Sequence, residues 1–291
     1  MKKFVFPAIA SVMAATNAFA ADLPRKALAP VAPVVLPTFT WTGFYLGVNA
    51  GAAFGDDVAK TSTLDSDLVS NASLRAVGID KVKYKSNGFI GGGQIGYNYQ
   101  MAPGGGLVVG VEADFDYAGL KRSRNWSKDF NDVYTTGSLA QHVDVTTRDS
   151  LDFLGTVRGR LGYAFDRVLV YGTGGLAYGS VDYRHNLTVD NNYFPTNSTP
   201  FSEVLRYSAH KSATQTGFAY GGGIEYAIPA DSALNLLHSN AVTLKAEYIR
   251  YDLGSRNVIQ YDSTGKNPMT STKVKSEGDV VRAGLNFKFG L

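Results

Sequence analysis

The sequence predicts an all-β protein, an eight-stranded antiparallel up-and-down transmembrane β-barrel, and three observations carry that expectation. The last stretch, Asp279 to Phe289, alternates with a period of two. Val281, Ala283, Leu285, Phe287 and Phe289 make one apolar, increasingly aromatic face, and Arg282, Gly284, Asn286 and Lys288 make the other. That period belongs to a β-strand, and such a pair of faces suits a strand with lipid on one side and a polar lumen on the other. Seven further segments alternate in the same way, while nothing after Trp41 approaches the run of about 18 apolar residues that marks a membrane helix. The connections, finally, alternate long and short, as they do in outer-membrane barrels and have no reason to do in a soluble sandwich.

The elements follow in order. Met1-Lys2-Lys3, an apolar run from Phe4 to Ala15 and the small-x-small site Ala18-Phe19-Ala20 read as a secretory signal peptide over residues 1–20. The apolar run is too short to anchor the chain in a bilayer. Cleavage after Ala20 removes Lys2 and Lys3, two of the 28 Lys and Arg, and none of the 25 Asp and Glu, so the remainder carries +1. A near-neutral chain has no basic field for nucleic acid, which is excluded as a partner. Cysteine is absent, so neither disulfides nor a lipid-modified N-terminus is expected. Residues 21–40 carry Pro24, Pro30, Pro33 and Pro37 and read as an extended periplasmic linker. Residues 41–291 are the expected barrel.

In the first predicted strand Phe44, Leu46, Val48, Ala50, Ala52 and Phe54 face outward, against Tyr45, Gly47, Asn49 and Gly51. The second sets Phe89, Gly91, Gly93, Ile95, Tyr97 and Tyr99 against Gln94, Gly96 and Asn98. The third sets Leu107, Val109, Val111, Ala113, Phe115 and Tyr117 against Gly110, Glu112, Asp114 and Asp116. In the fourth, Leu151, Phe153, Val157, Leu161, Tyr163 and Phe165 oppose Asp152, Thr156, Arg158 and Arg160. Val168 to Tyr183 is a glycine-rich fifth strand, whose pattern settles only that Leu176 and Tyr178 point outward. The sixth opposes Thr216, Phe218, Tyr220, Ile224, Tyr226 and Ile228 to Gly217, Gly221, Gly223 and Glu225, and the seventh opposes Val242, Leu244, Ala246 and Tyr248 to Lys245 and Glu247. The terminal stretch is the eighth and is expected to pair with Phe44–Phe54, closing the sheet so that no edge is left in lipid.

Gly55–Asn87, Ala118–Thr147, Arg184–Ala213 and Gly254–Gly278 read as long polar loops, and Gln100–Gly106, Asp166-Arg167 and Pro229–Ala241 as the shorter turns. After the linker every proline falls in a connection. Phe44, Tyr97, Tyr99, Tyr163, Phe165, Tyr226, Phe287 and Phe289 gather at the short-turn end, where amphipathic rings favour a membrane interface.

The inward charges then acquire a purpose. Glu112, Asp114, Glu225 and Glu247 can pair with Arg158, Arg160, Lys245, Arg282 and Lys288 across a lumen that eight strands leave filled by side chains. We read this set as a plug; an ion-selective constriction is the alternative that so narrow a barrel disfavours. Gly91-Gly92-Gly93-Gln94-Ile95-Gly96 satisfies G-x-G-x-x-G, yet it lies within a strand and meets no helix, so its glycines are read as relief of crowding. His142, His185 and His210 fall on long loops among tyrosines and are candidate hemin-iron ligands, hemin being a ligand and no resident cofactor being expected. No metal-ligand spacing is present, and His142-Val143-Asp144 with Ser150 is a chance grouping of loop residues rather than a hydrolase triad, so no catalytic site is expected. Lys81, Lys83, Lys85, Lys121, Arg122 and Arg124 would sit at the outer rim, where lipopolysaccharide phosphates stand beside the membrane lipid.

Four motifs carry a resemblance to a known family. They are Thr40-Trp41-Thr42-Gly43-Phe44-Tyr45-Leu46-Gly47 after a Pro-rich leader, Val170-Tyr171-Gly172-Thr173-Gly174-Gly175-Leu176-Ala177-Tyr178-Gly179, Lys245-Ala246-Glu247-Tyr248 and the terminal strand. With these, Trp41–Leu291 resembles the OmpA-like, eight-stranded outer-membrane proteins of alphaproteobacteria, a group of major surface antigens and hemin-binding proteins often labelled porins. The resemblance implies a non-enzymatic envelope protein of a Gram-negative outer membrane, with its loops at the cell surface in an adhesion or antigen role. It implies hemin binding in some members, and a narrow passive porin is the third reading. Host surface molecules and the barrel assembly machinery are the implied protein partners. Family chains usually finish on Phe, whereas this one continues past Phe289 with Gly290-Leu291. Leu291 keeps the register of Phe287 and Phe289, and these three residues are the expected assembly signal.

Overall fold

The computed structural model describes residues 39–64, 80–134, 137–229, 232, 234–261 and 264–290. The signal peptide, all but the last two residues of the linker, and Leu291 lie outside the described residues. Eight strands follow one another: β1 (Gly43–Thr63), β2 (Lys81–Gln100), β3 (Gly105–Tyr134), β4 (Gly137–Phe165), β5 (Val168–Pro195), β6 (Phe201–Ile228), β7 (Ala241–Tyr261) and β8 (Pro268–Phe289). Each pairs antiparallel with its sequence neighbours, and β8 returns to β1 in a register running from Phe44↔Phe289 to Thr63↔Thr270, so the sheet closes into a barrel. Closure satisfies the backbone groups that an open edge would leave unpaired in hydrocarbon.

The alternation behaves as the sequence requires. Phe44, Val48, Ile95, Val111, Leu161, Leu176, Ile224 and Leu244 stand exposed on the outer wall, while Asn49, Gln94, Glu112, Arg158, Glu225 and Lys245 are buried inside. Leu176 faces outward, and Tyr178 lies on the same wall across Gly155, where an added Cβ would meet its ring at 2.3 Å. At the short-turn rim the exposed rings pack in pairs, Phe44 with Tyr97 and Tyr163 with Phe165.

Three expectations need correction. The long polar segments are mostly strand rather than loop. β3 and β4 reach 134 and 137, and β5 and β6 are separated by residues 196–200 alone. Their sequences show little contrast between faces there, because above the apolar band both faces meet water and no period survives to be read.

The second correction is a β-bulge. Leu151 pairs with Val181 and Phe153 with Ser180, so Asp152 has no partner on β5. One inserted residue reverses the facing of everything beyond it. Leu151 therefore turns inward and is buried, while Asp152 is exposed, the opposite of the facing expected from simple alternation.

The third concerns the lumen, which is layered rather than uniformly polar. At the short-turn end Trp41, Val108, Ala164, Leu169, Tyr171 and Ala227 form one apolar cluster. Towards the long hairpins Ile90, Leu120, Leu154, Val181, Ile249, Tyr251, Leu253 and Val280 belong to a second. The largest group of buried charges lies between these two caps, while Asp57, Arg122 and Asp149 line a small cavity with Leu151, Val181 and Tyr251 of the second.

The closed ring does not persist to the tips. β2 and β3 pair from Gln100↔Val108 up to Ile90↔Ala118 and no further among the described residues, although both strands continue. β6 and β7 part above Phe218↔Asp252 and meet again only at Ser208↔Tyr261. Beyond the wall the hairpins thus form two sheets, β7-β8-β1-β2 and β3-β4-β5-β6, with a seam at each junction.

Candidate functional site in the barrel lumen

The inward positions of β3, β4, β7 and β8 converge on Arg158. Its guanidinium donates to Glu112 at 2.8 Å, Asp114 at 2.9 Å and Glu247 at 3.0 Å, and its Nε donates to Thr156 Oγ1 at 2.8 Å. Arg282 donates twice to Glu247 Oε2, at 3.0 and 2.8 Å, and again to Asp114 at 3.1 Å and to Asp116. Lys245 Nζ reaches both oxygens of Glu112 at 3.0 and 3.1 Å. Arg160 donates to Glu225 at 2.7 Å and to the Tyr45 hydroxyl at 2.8 Å, and its guanidinium lies 3.9 Å from the centre of the Tyr171 ring. Buried charges must be paired to be tolerated, and each of these has an ion-pair partner, although Arg160 Nε and Asp114 Oδ1 are left without a hydrogen bond among the described residues.

Five carboxylates, Glu112, Asp114, Asp116, Glu225 and Glu247, here meet four cations, Arg158, Arg160, Lys245 and Arg282. Neutral donors complete the set. Tyr45 donates to Glu112 at 2.8 Å, Tyr171 to Glu247 at 3.2 Å, Asn49 to Asp116 at 2.9 Å and Asn286 to Glu225 at 2.7 Å. Of these nine charges the sequence-derived plug omitted Asp116, although its inward parity was plain. It also omitted the two tyrosines, because the glycine-rich fifth strand gave no facing for Tyr171.

Lys288 departs from the expected plug. Its Nζ donates to the Thr42 carbonyl at 2.6 Å and lies 5.7 Å from the Phe39 ring centre, with no carboxylate within ion-pair distance among the described residues. It sits at the short-turn rim, one layer below the acids, where the chain arriving at β1 supplies backbone oxygen instead. Trp41 closes that mouth: its backbone N–H donates to Gln100 Oε1 at 2.7 Å and its indole N–H to the Asp166 carbonyl at 2.9 Å. Sequence reasoning saw Trp41 only as the start of the barrel.

The three candidate hemin histidines are not brought together. His185 points inward and is buried, 3.1 Å from Thr147 Oγ1 and 3.5 Å from Asp149. His210 is exposed on the opposite face of the neighbouring strand, bonded to Asp182 at 3.0 Å. His142 stands higher on β4, with Nδ1 2.6 Å from Asp129 and Nε2 3.2 Å from both Ser127 and Asp144. Ser150 takes no part in this grouping. Ser127, His142 and Asp129 form a hydrogen-bonded chain, and the Asp129 bond, seconded by the Asp144 charge, raises the imidazole pKa above its ordinary value.

On the outer face Phe287 shares a row with Leu46 and Val242 and is only 8% exposed. Phe289, opposite Phe44, is partly covered. Phe287 keeps the outward parity expected of it, and it and Val242 beside it are the least exposed residues of that row.

These features agree with the chain's relatives. The family model described as outer membrane protein beta-barrel domain matches residues 7–289. The chain is 36% identical over 295 aligned residues to the 31 kDa outer-membrane immunogenic protein of Brucella melitensis, an alignment covering 99% of this chain and 100% of that protein. It is 25% identical to the 25 kDa outer-membrane immunogenic protein of Brucella abortus over 99% of both chains. It is 29% identical to the 22 kDa outer membrane protein of Rhizobium leguminosarum, over 77% of this chain and 69% of that one. A closed eight-stranded wall with an apolar exterior, matched over nearly its whole length by that model, places this chain in the outer-membrane β-barrel protein family.

Proposed function

We propose that the protein is a non-enzymatic wall element of the outer membrane, which presents its long hairpins at the cell surface and its short turns to the periplasm. The observation that supports this most is the filled lumen. Nine charges paired across the lumen between two apolar clusters tie the strands together and make the barrel a rigid peg for the hairpins. What then varies with function is the pair of sheets above the wall, and an adhesion or antigen role belongs to them.

The cysteine-free sequence makes the orientation testable. Single cysteines in place of Asn125 and Ser212, both exposed on the long hairpins, should react with a membrane-impermeant maleimide on intact cells. A cysteine in place of Arg167, in the two-residue turn, should react only after permeabilisation. The reverse pattern, or a soluble protein, would overturn the proposal.

A further inference from the structure

The seam between β2 and β3 is lined by cations from both sides. A cleft of about 360 Å³ opens there, bounded by Lys83 and Lys85 on β2 and by Lys121, Arg122 and Arg124 on β3, with Thr147 of β4 behind. Arg122 is committed to Asp57 across the lumen. Lys83, Lys85, Lys121 and Arg124 have no carboxylate within ion-pair distance among the described residues; Asp56 on β1 is the register partner of Lys85, and Asp149 on β4 that of Arg122. An open strand edge is ordinarily guarded by lysine, which would account for either edge taken alone. It does not account for a second edge bringing its own cations to face the first, since like charges gathered around one cleft repel.

That repulsion is relieved by an anion, and the height of the cleft says which kind. Phe89 and Tyr117, exposed on the outer wall beside the last paired residues Ile90 and Ala118, lie four residues after Lys85 along β2 and four before Lys121 along β3 respectively. Four residues of tilted strand rise about 10 Å, from the edge of the hydrocarbon into the headgroup layer. We propose that the β2–β3 seam is a binding site for the phosphate groups of an outer-leaflet glycolipid. The unpaired backbone of both edges lines the slot, and Lys83, Lys85, Lys121 and Arg124 supply the charge. Charge-assisted bonds from lysine and arginine are the strong contacts to phosphate. The seam would thereby hold the wall and the hairpins in register with the membrane surface. The assignment of this rim to the outer leaflet rests on the orientation proposed above.

The test uses the full chain in detergent micelles, where binding does not depend on orientation. The probes are bisphosphorylated lipid A, the same lipid stripped of phosphate, and inorganic pyrophosphate. Wild-type protein should bind the bisphosphorylated lipid at least about tenfold more tightly than the stripped one, as expected for several cations at a headgroup. Replacing Lys83, Lys85, Lys121 and Arg124 with Gln should abolish that preference. Replacing Arg206, Lys211, Arg256 and Lys273 with Gln removes as much charge from β6, β7 and β8 and should leave the preference intact. Heat-dependent gel mobility checks that each variant is folded, and if the seam variant fails to fold, K83Q/K85Q alone should still weaken the preference. Equal binding of both lipids, or equal losses in the two quadruple variants, would overturn the site. Pyrophosphate displacing the lipid at matched concentration would overturn the lipid as its occupant.

Discussion

Arg158 shows how strongly a single side chain can be tied into this wall. It is fully buried and donates to three carboxylates, so its charge is satisfied only by the residues around it. Acids already outnumber bases in the network by one, and replacing Arg158 with Met would leave five carboxylates against three cations. Removing one partner of a buried pair typically costs about 3–5 kcal/mol, because the surviving charge is desolvated and unpaired. We expect R158M to lower unfolding free energy by about that amount in urea titrations of the refolded protein. Replacing Glu247 with Gln in the same chain should restore part of the loss, since one stranded charge is then neutralised. Unchanged stability in R158M, or a double variant no better than the single one, would contradict a plug held by charge pairing.

At the scale of the strand, β8 carries the closing contacts, and Phe287 sits in them near the short-turn end. It lies between Leu46 of β1 and Val242 of β7, almost without exposure. An aspartate there would put an unpaired carboxylate into an apolar contact and cost several kcal/mol. F287D should therefore be absent from the heat-modifiable outer-membrane fraction, while F287L should assemble. Normal assembly of F287D would remove the role assigned to this end of the strand. The facing of Phe287 was legible in the sequence because a wall with lipid outside and charge inside enforces a period of two. The same rule explains what escaped reading. Ile90, Ile249 and Val280 point inward at an apolar layer, so both faces of their strands are apolar and the contrast that marks a face vanishes. Asp152 is the extra residue of a bulge with no glycine to announce it, and everything past it on β4 changes sides. The hairpin extensions were read as loops for the opposite reason, both faces there being polar or half-exposed. Their own small cluster, built on Val143, Leu187 and Tyr207, joins residues too far apart in sequence to register as a pattern.

For the whole molecule, the layered lumen decides between a wall and a channel. An ion entering from the short-turn end meets Trp41, held by two hydrogen bonds and packed against Val108, Leu169 and Tyr171. Beyond it stand Arg160, Arg158 and Arg282, each engaged by carboxylates on other strands, and then an apolar layer that includes Tyr183 and Tyr251. A conducting path needs water along its length, and the two apolar layers exclude water at both ends of the charged one. Planar-bilayer recordings of the refolded protein should accordingly show no conductance steps. Truncating Trp41 to Ala should not open a path by itself, because the ion pairs and the second apolar layer remain. Discrete steps from wild-type protein would end the wall reading in favour of a narrow porin. Steps from W41A alone would show that the rim, and not the paired charges, is what keeps the barrel closed.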